Sequence, residues 1–183
     1  MNNVMTAEEK RELTPYEKKL LIFFLKCIAS ELSKIVIFSI IFSILGLTKE
    51  FISALFFLMI FRTSSGGIHC HSYLSCLCVS FLILSSGMAL GMFVYLPISI
   101  MIILTITIKN IIYRLAPVQS KTRPPLEERL VLKAKRRSSM SVMLYLILLL
   151  VCGLNTFTNI GFWLLLLHIV QLYIANKIRR YER

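Results

Sequence analysis

The chain contains no aspartate; glutamate supplies all nine of its acidic residues. That absence removes any mechanism built on a pair of aspartates sharing a proton, the chemistry of aspartic intramembrane proteases. It also leaves few acidic groups to drive ion-coupled transport. Charge of either sign is scarce, at 16% of residues against 57% hydrophobic. Ordinary soluble domains carry about a quarter charged residues, so a soluble fold of this composition could not cover its apolar surface. Cysteine is limited to Cys27, Cys70, Cys76, Cys78 and Cys152. The number is odd and there is no C-x-x-C pair, which argues against a disulfide framework. Glycine is limited to seven residues, adjacent only at Gly66-Gly67. Residues 1–14 are polar and lack a signal-peptide layout, which predicts insertion by the spans themselves.

What is abundant is long apolar runs, the mark of a membrane protein. The predicted fold is all-α: one polytopic membrane domain over residues 1–183, with about six transmembrane helices. Residues 1–34 form a cytosolic or interfacial N-terminal part. Within them, residues 16–34 mix Leu20, Leu21, Phe23, Phe24, Leu25 and Ile28 with Lys18, Lys19, Lys26, Glu31 and Lys34, and predict an amphipathic helix in the interface. The bundle covers residues 35–175. Expected spans are 35–47, 51–61, 73–96 (broken by Pro97), 98–113, 140–154 and 162–175. The second is short: roughly 11 residues reach about 16 Å against about 30 Å of hydrocarbon. Residues 114–139 form a basic loop and 176–183 a basic tail.

The net charge is +12, and its placement sets orientation. Lys and Arg gather near the N-terminus, in residues 109–137 and at the C-terminus. By the positive-inside pattern, both termini and the 62–72 and 114–139 connections face the cytosol of a bacterial cell membrane. Nucleic acid is not expected, because no binding motif accompanies the charge. Anionic lipid headgroups would attract the same residues.

Residues 62–78 hold two of the three histidines and three of the five cysteines. Ionisable groups at membrane depth are costly, so this clustering suggests chemistry. The plain alternative is a polar turn with cysteines packed as small hydrophobes. His69 and Cys76 are seven apart, as are His71 and Cys78. Seven residues return to nearly one helix face, so spacing alone does not choose. In a straight helix that step is about 10.5 Å, too far for a nucleophile and its base. Gly66-Gly67 permits a fold-back. With Ser72 as N-cap, Cys76 falls near the first turn, where the helix dipole and an imidazolium would favour a thiolate. Cys78 would sit deeper in apolar surroundings. A competing reading is zinc, for which His69, Cys70, His71, Cys76 and Cys78 are ligand types; adjacent residues diverge, and no metal or other cofactor is expected.

This arrangement resembles the AgrB family (accessory gene regulator protein B), membrane peptidases of bacterial quorum sensing. The resemblance rests on Arg62, Gly66-Gly67, His69 and Cys76, and on Ala116-Pro117-Val118 followed by Arg123-Pro124 and the basic run to Arg137. Gln119 stands where many members carry an acidic residue, and Pro125 doubles the proline. The resemblance selects the His69–Cys76 pair. It implies a cysteine endopeptidase that cleaves the C-terminal part from a precursor peptide and promotes thiolactone or lactone closure. Arg62 then reads as an oxyanion or substrate-carboxylate contact, or plainly as a snorkelling span-end cation. Gly66 and Gly67 read as conformational. Lys121, Arg123, Lys133, Lys135, Arg136 and Arg137 would bind an acidic precursor tail, or serve only as a retention signal. Such families are compatible with homodimers. His168 reads as a hydrogen-bonding residue within the bundle, and Cys27 and Cys152 as packing residues. The rival function is a small transporter or channel without peptidase activity; a non-catalytic scaffold is the other.

Overall fold

The computed structural model describes residues 15–66, 72–118 and 128–181. Among these the chain is all-helical. The elements are α1 (Pro15–Ile44), α2 (Thr48–Ser65), α3 (Tyr73–Phe93), α4 (Ile98–Leu115), α5 (Glu128–Cys152) and α6 (Thr156–Tyr181). Among the described residues, three stretches are long and apolar enough to cross a bilayer: Tyr73–Phe93, Ile98–Leu115 and Thr156–Ile178. Many large apolar side chains on them, such as Leu82, Ile103 and Tyr173, are exposed on the outside of the protein. In water that surface would be untenable; against lipid it needs no cover. The chain is a membrane-associated all-α protein.

The chain falls into two compact units, Met1–Phe38 and Ser39–Arg183. In the first, Lys34 Nζ lies 2.8 Å from Glu31 Oε1, and Ser33 Oγ donates to Ser30 O at 2.9 Å. The stretch expected as an interfacial helix, residues 16–34, and the start of the first expected span form one continuous helix, α1. No proline or glycine interrupts residues 16–44, so nothing in the chain stops the helix there.

In the second unit, α6 is the central helix and packs on α2, α3, α4 and α5. Its Ile160, Phe162, Leu164, Leu165 and Leu172 are completely buried. The approach of α3 to α6 is set by small residues. A Cβ on Gly91 would stand 2.6 Å from the Ile160 Cα, and one on Gly87 would meet the Leu164 side chain. Phe57 of α2 stacks within an aromatic cluster with Phe61, Tyr145 and Phe157, and the Tyr145 hydroxyl donates to Thr158 O at 3.1 Å.

Several boundaries differ from those expected. α2 extends over both flanks of its apolar run. Its 18 residues make about 27 Å of helix instead of 16 Å, although Lys49, Glu50 and Arg62 lie within it. α3 stops at Phe93, four residues before Pro97, and its last carbonyls are taken by α6. Asn159 Nδ2 donates to Gly91 O and Val94 O at 2.8 Å each, and Trp163 Nε1 to Val94 O at 3.0 Å. α5 begins at Glu128, so residues 128–139 are helix where a loop was expected. Lys, Arg, Leu and Ala are strong helix formers and fill that stretch.

Candidate functional site

The helices of the second unit alternate in direction, which sorts their ends. The α3 C-terminus is bound by the start of α6, so the α3 N-terminus lies toward the end of α6. The Val118 N–H donates to Ser65 O at 3.1 Å, tying the exit of α4 to the last residue of α2. Asn176, near the end of α6, donates to Leu115 O at 3.0 Å. Lys135 Nζ, early in α5, lies 5.8 Å over the Tyr113 ring near the end of α4. The end of α2, the start of α3, the exit of α4, the start of α5 and the end of α6 therefore share one end of the bundle.

At that end Ser72 caps α3. Its backbone is extended and its hydroxyl accepts from the Ser75 N–H at 3.1 Å. The Cys76 N–H then makes the first bond of the helix, to Ser72 O at 3.2 Å. This is the start predicted from the serine, with Cys76 at the head of α3. Cys76 is half-buried there. Cys78 is exposed: two residues on, the helix has turned roughly 200°, toward the outside of the bundle. Cys78 was expected deeper along the span in apolar surroundings; on the outer face of this apolar helix it is separated from Cys76 by face as well as by depth. Cys152, expected to pack, is exposed at the end of α5.

Arg62 lies half-buried in the last turn of α2, a helix packed on α3. Gly66 follows α2 with φ +78° and ψ −162°, its N–H bonded to Arg62 O at 3.1 Å. That backbone region is essentially confined to glycine. A Cβ there would also stand 3.1 Å from Val118 O. The glycine thus has two physical reasons: backbone conformation and the close passage of the Ala116-Pro117-Val118 strap. Ala116 of that strap is buried. Gly67, His69, Cys70, His71, Lys121 and Arg123 lie outside the described residues. Of the basic set, Lys133, Arg136 and Arg137 are exposed on the first turns of α5, and the spacing 133, 136, 137 puts them on one face.

One pair at this end has no counterpart in the sequence reading. Ser65 Oγ lies 2.6 Å from His168 Nε2, both residues being buried. His168 does bond within the bundle, as expected for a histidine on an apolar helix, but its partner is 103 residues away. No local signal marks Ser65, apart from its place before the glycines.

The accessory gene regulator B family model matches residues 2–172. Neither the curated proteins nor the solved structures gave a match. The chain belongs to the accessory gene regulator B family, and with it to the processing of quorum-sensing peptides.

Proposed function

We propose that this protein is a membrane cysteine endopeptidase that cleaves the C-terminal part from a quorum-sensing precursor and promotes closure of the remaining peptide into a thiolactone or lactone. The observation that carries the reading is Cys76, half-buried at the capped head of α3, in a chain matched by this family over residues 2–172. The first backbone N–H groups of a helix favour negative charge, which suits a thiolate.

In this mechanism His69 takes the Cys76 proton and the thiolate attacks the scissile carbonyl. The C–N bond breaks, the leaving amine takes the proton from the His69 imidazolium, and a Cys76 thioester remains. A thiol or hydroxyl within the precursor then attacks the thioester. The ring closes, Cys76 leaves as thiolate, and the attacking group's proton returns it to the resting state. Exchange of one thioester for another is nearly balanced, so the ring-closing step itself requires no external energy source. Arg62 stabilises the developing oxyanion or holds a substrate carboxylate, and Gly66 and Gly67 give the chain its path out of α2. Lys121, Arg123, Lys133, Lys135, Arg136 and Arg137 receive an acidic tail on the precursor, supported by the exposed face of Lys133, Arg136 and Arg137.

The reading places the protein as a multi-pass bundle of six spans in the bacterial cell membrane, one domain with both termini and the site cytosolic. The grouping of Arg62, Cys76 and the basic turns of α5 at one end supports it, because positive residues stay inside.

The test is purified protein in liposomes with a candidate precursor. Cys76→Ala and His69→Ala each abolish cleavage on this reading; cleavage that survives either substitution refutes the pair.

A further inference from the structure

We propose that His168 is a positioning residue for the reaction: through Ser65 it fixes the end of α2, from which the chain departs toward His69. The inference rests on the peptidase reading above.

Ser65 is held from two directions. Its hydroxyl donates to Phe61 O at 2.6 Å and lies 2.6 Å from His168 Nε2, while its carbonyl accepts from the Val118 N–H at 3.1 Å. A serine hydroxyl has one proton. With that proton on Phe61 O, the imidazole must donate, which fixes the Nε2–H tautomer and leaves Nδ1 as a bare acceptor. Nδ1 is buried with no hydrogen-bond partner. The ring is fixed on its other face by stacking on Phe61 at 6.3 Å and 24°.

An imidazole is a costly way to bond one serine inside an apolar helix. An apolar residue would fill the space without burying an unsatisfied nitrogen, a cost of about 1–3 kcal/mol. Helix packing alone does not require it, since α6 already packs on four neighbours. What the imidazole adds is a direction. It joins the rigid central helix to the residue at which α2 ends, one position before the glycine whose backbone is open to no other residue type. Because the reacting groups need near-attack geometry, a small shift of this point changes rate more than stability.

The experiment compares His168→Gln, His168→Asn, His168→Leu and Ser65→Ala with wild type in liposomes, using a synthetic precursor, with Cys76→Ala as control. The glutamine amide places an N–H near the position of Nε2; the asparagine amide does not. On this inference His168→Gln keeps kcat within about threefold, while His168→Asn, His168→Leu and Ser65→Ala lose on the order of 10–100-fold in kcat with KM little changed. The double variant Ser65→Ala/His168→Leu is no worse than either single one, since both remove one link. A second readout is independent of activity: the Val118 and Gly66 amides exchange faster in the Leu and Ala variants and not in His168→Gln. Wild-type kcat in folded His168→Leu, or equal losses in His168→Gln and His168→Leu, overturns the inference. Cleavage surviving Cys76→Ala sinks the peptidase reading instead, and this inference with it.

Discussion

Replacing Gly66 by alanine isolates the strained exit from α2. The residue sits at φ +78° and ψ −162°, where a side chain costs on the order of 1–3 kcal/mol. The new methyl also stands 3.1 Å from Val118 O, so the strap must yield by a few tenths of an ångström. The apolar core is untouched, so the cost falls on the local conformer. At about 1.4 kcal/mol per decade, that conformer becomes roughly five- to a hundredfold rarer. Cleavage in liposomes should fall by a similar factor, and exchange at the Val118 amide, which donates to Ser65 O, should accelerate. Gly153→Ala is the control. Gly153 also has positive φ, +67°, but a Cβ there meets nothing within 4 Å, and it lies between α5 and α6 at the opposite end. It should cost about 1–2 kcal/mol of stability and leave cleavage intact. Gly66→Ala protein with wild-type cleavage and a protected Val118 amide would refute the reasoning.

Three further outcomes follow from the same contacts. Ser72→Ala removes the cap of α3 and should cost about 0.5–2 kcal/mol locally, seen as faster amide exchange at Ser75 and Cys76, with Ser72→Asp restoring protection. Gly91→Val drives a branched side chain into the Ile160 backbone and should destabilise the bundle by more than about 1–3 kcal/mol, read as a lower midpoint of thermal unfolding in detergent. Replacing Lys133, Arg136 and Arg137 together by glutamine should raise KM for an acidic-tailed precursor and flatten its salt dependence, with kcat nearly unchanged.

The legible parts of this chain are those written in local chemistry. Ser72 before an apolar run names the start of α3, because an N-cap is a bond between residues three apart. The apolar runs mark where helices lie, but their ends depend on more than hydropathy. α2 continues through Lys49 and Arg62, and α5 begins in a run of cations, because lysine and arginine are good helix formers whatever surrounds them. The early stop of α3 depends on Asn159 and Trp163 of α6, which donate to the carbonyl of Val94 at its end. The Ser65–His168 bond and the passage of Val118 across Gly66 join residues about 100 and about 50 apart, and no periodicity encodes such meetings. The exposure of Cys78 depends on which face of α3 meets α6, a choice made by Gly87 and Gly91. The glycine pair was readable as conformational; the object that its first member makes room for was not.

The central claim is a covalent intermediate on Cys76. Purified protein in liposomes, mixed with a precursor and quenched in acid, is digested and read by mass spectrometry. The account predicts an adduct on the peptide containing Cys76, equal in mass to the retained precursor fragment, released by hydroxylamine and absent in Cys76→Ala. Cleavage that proceeds with no adduct on Cys76, and persists in Cys76→Ala, would contradict it.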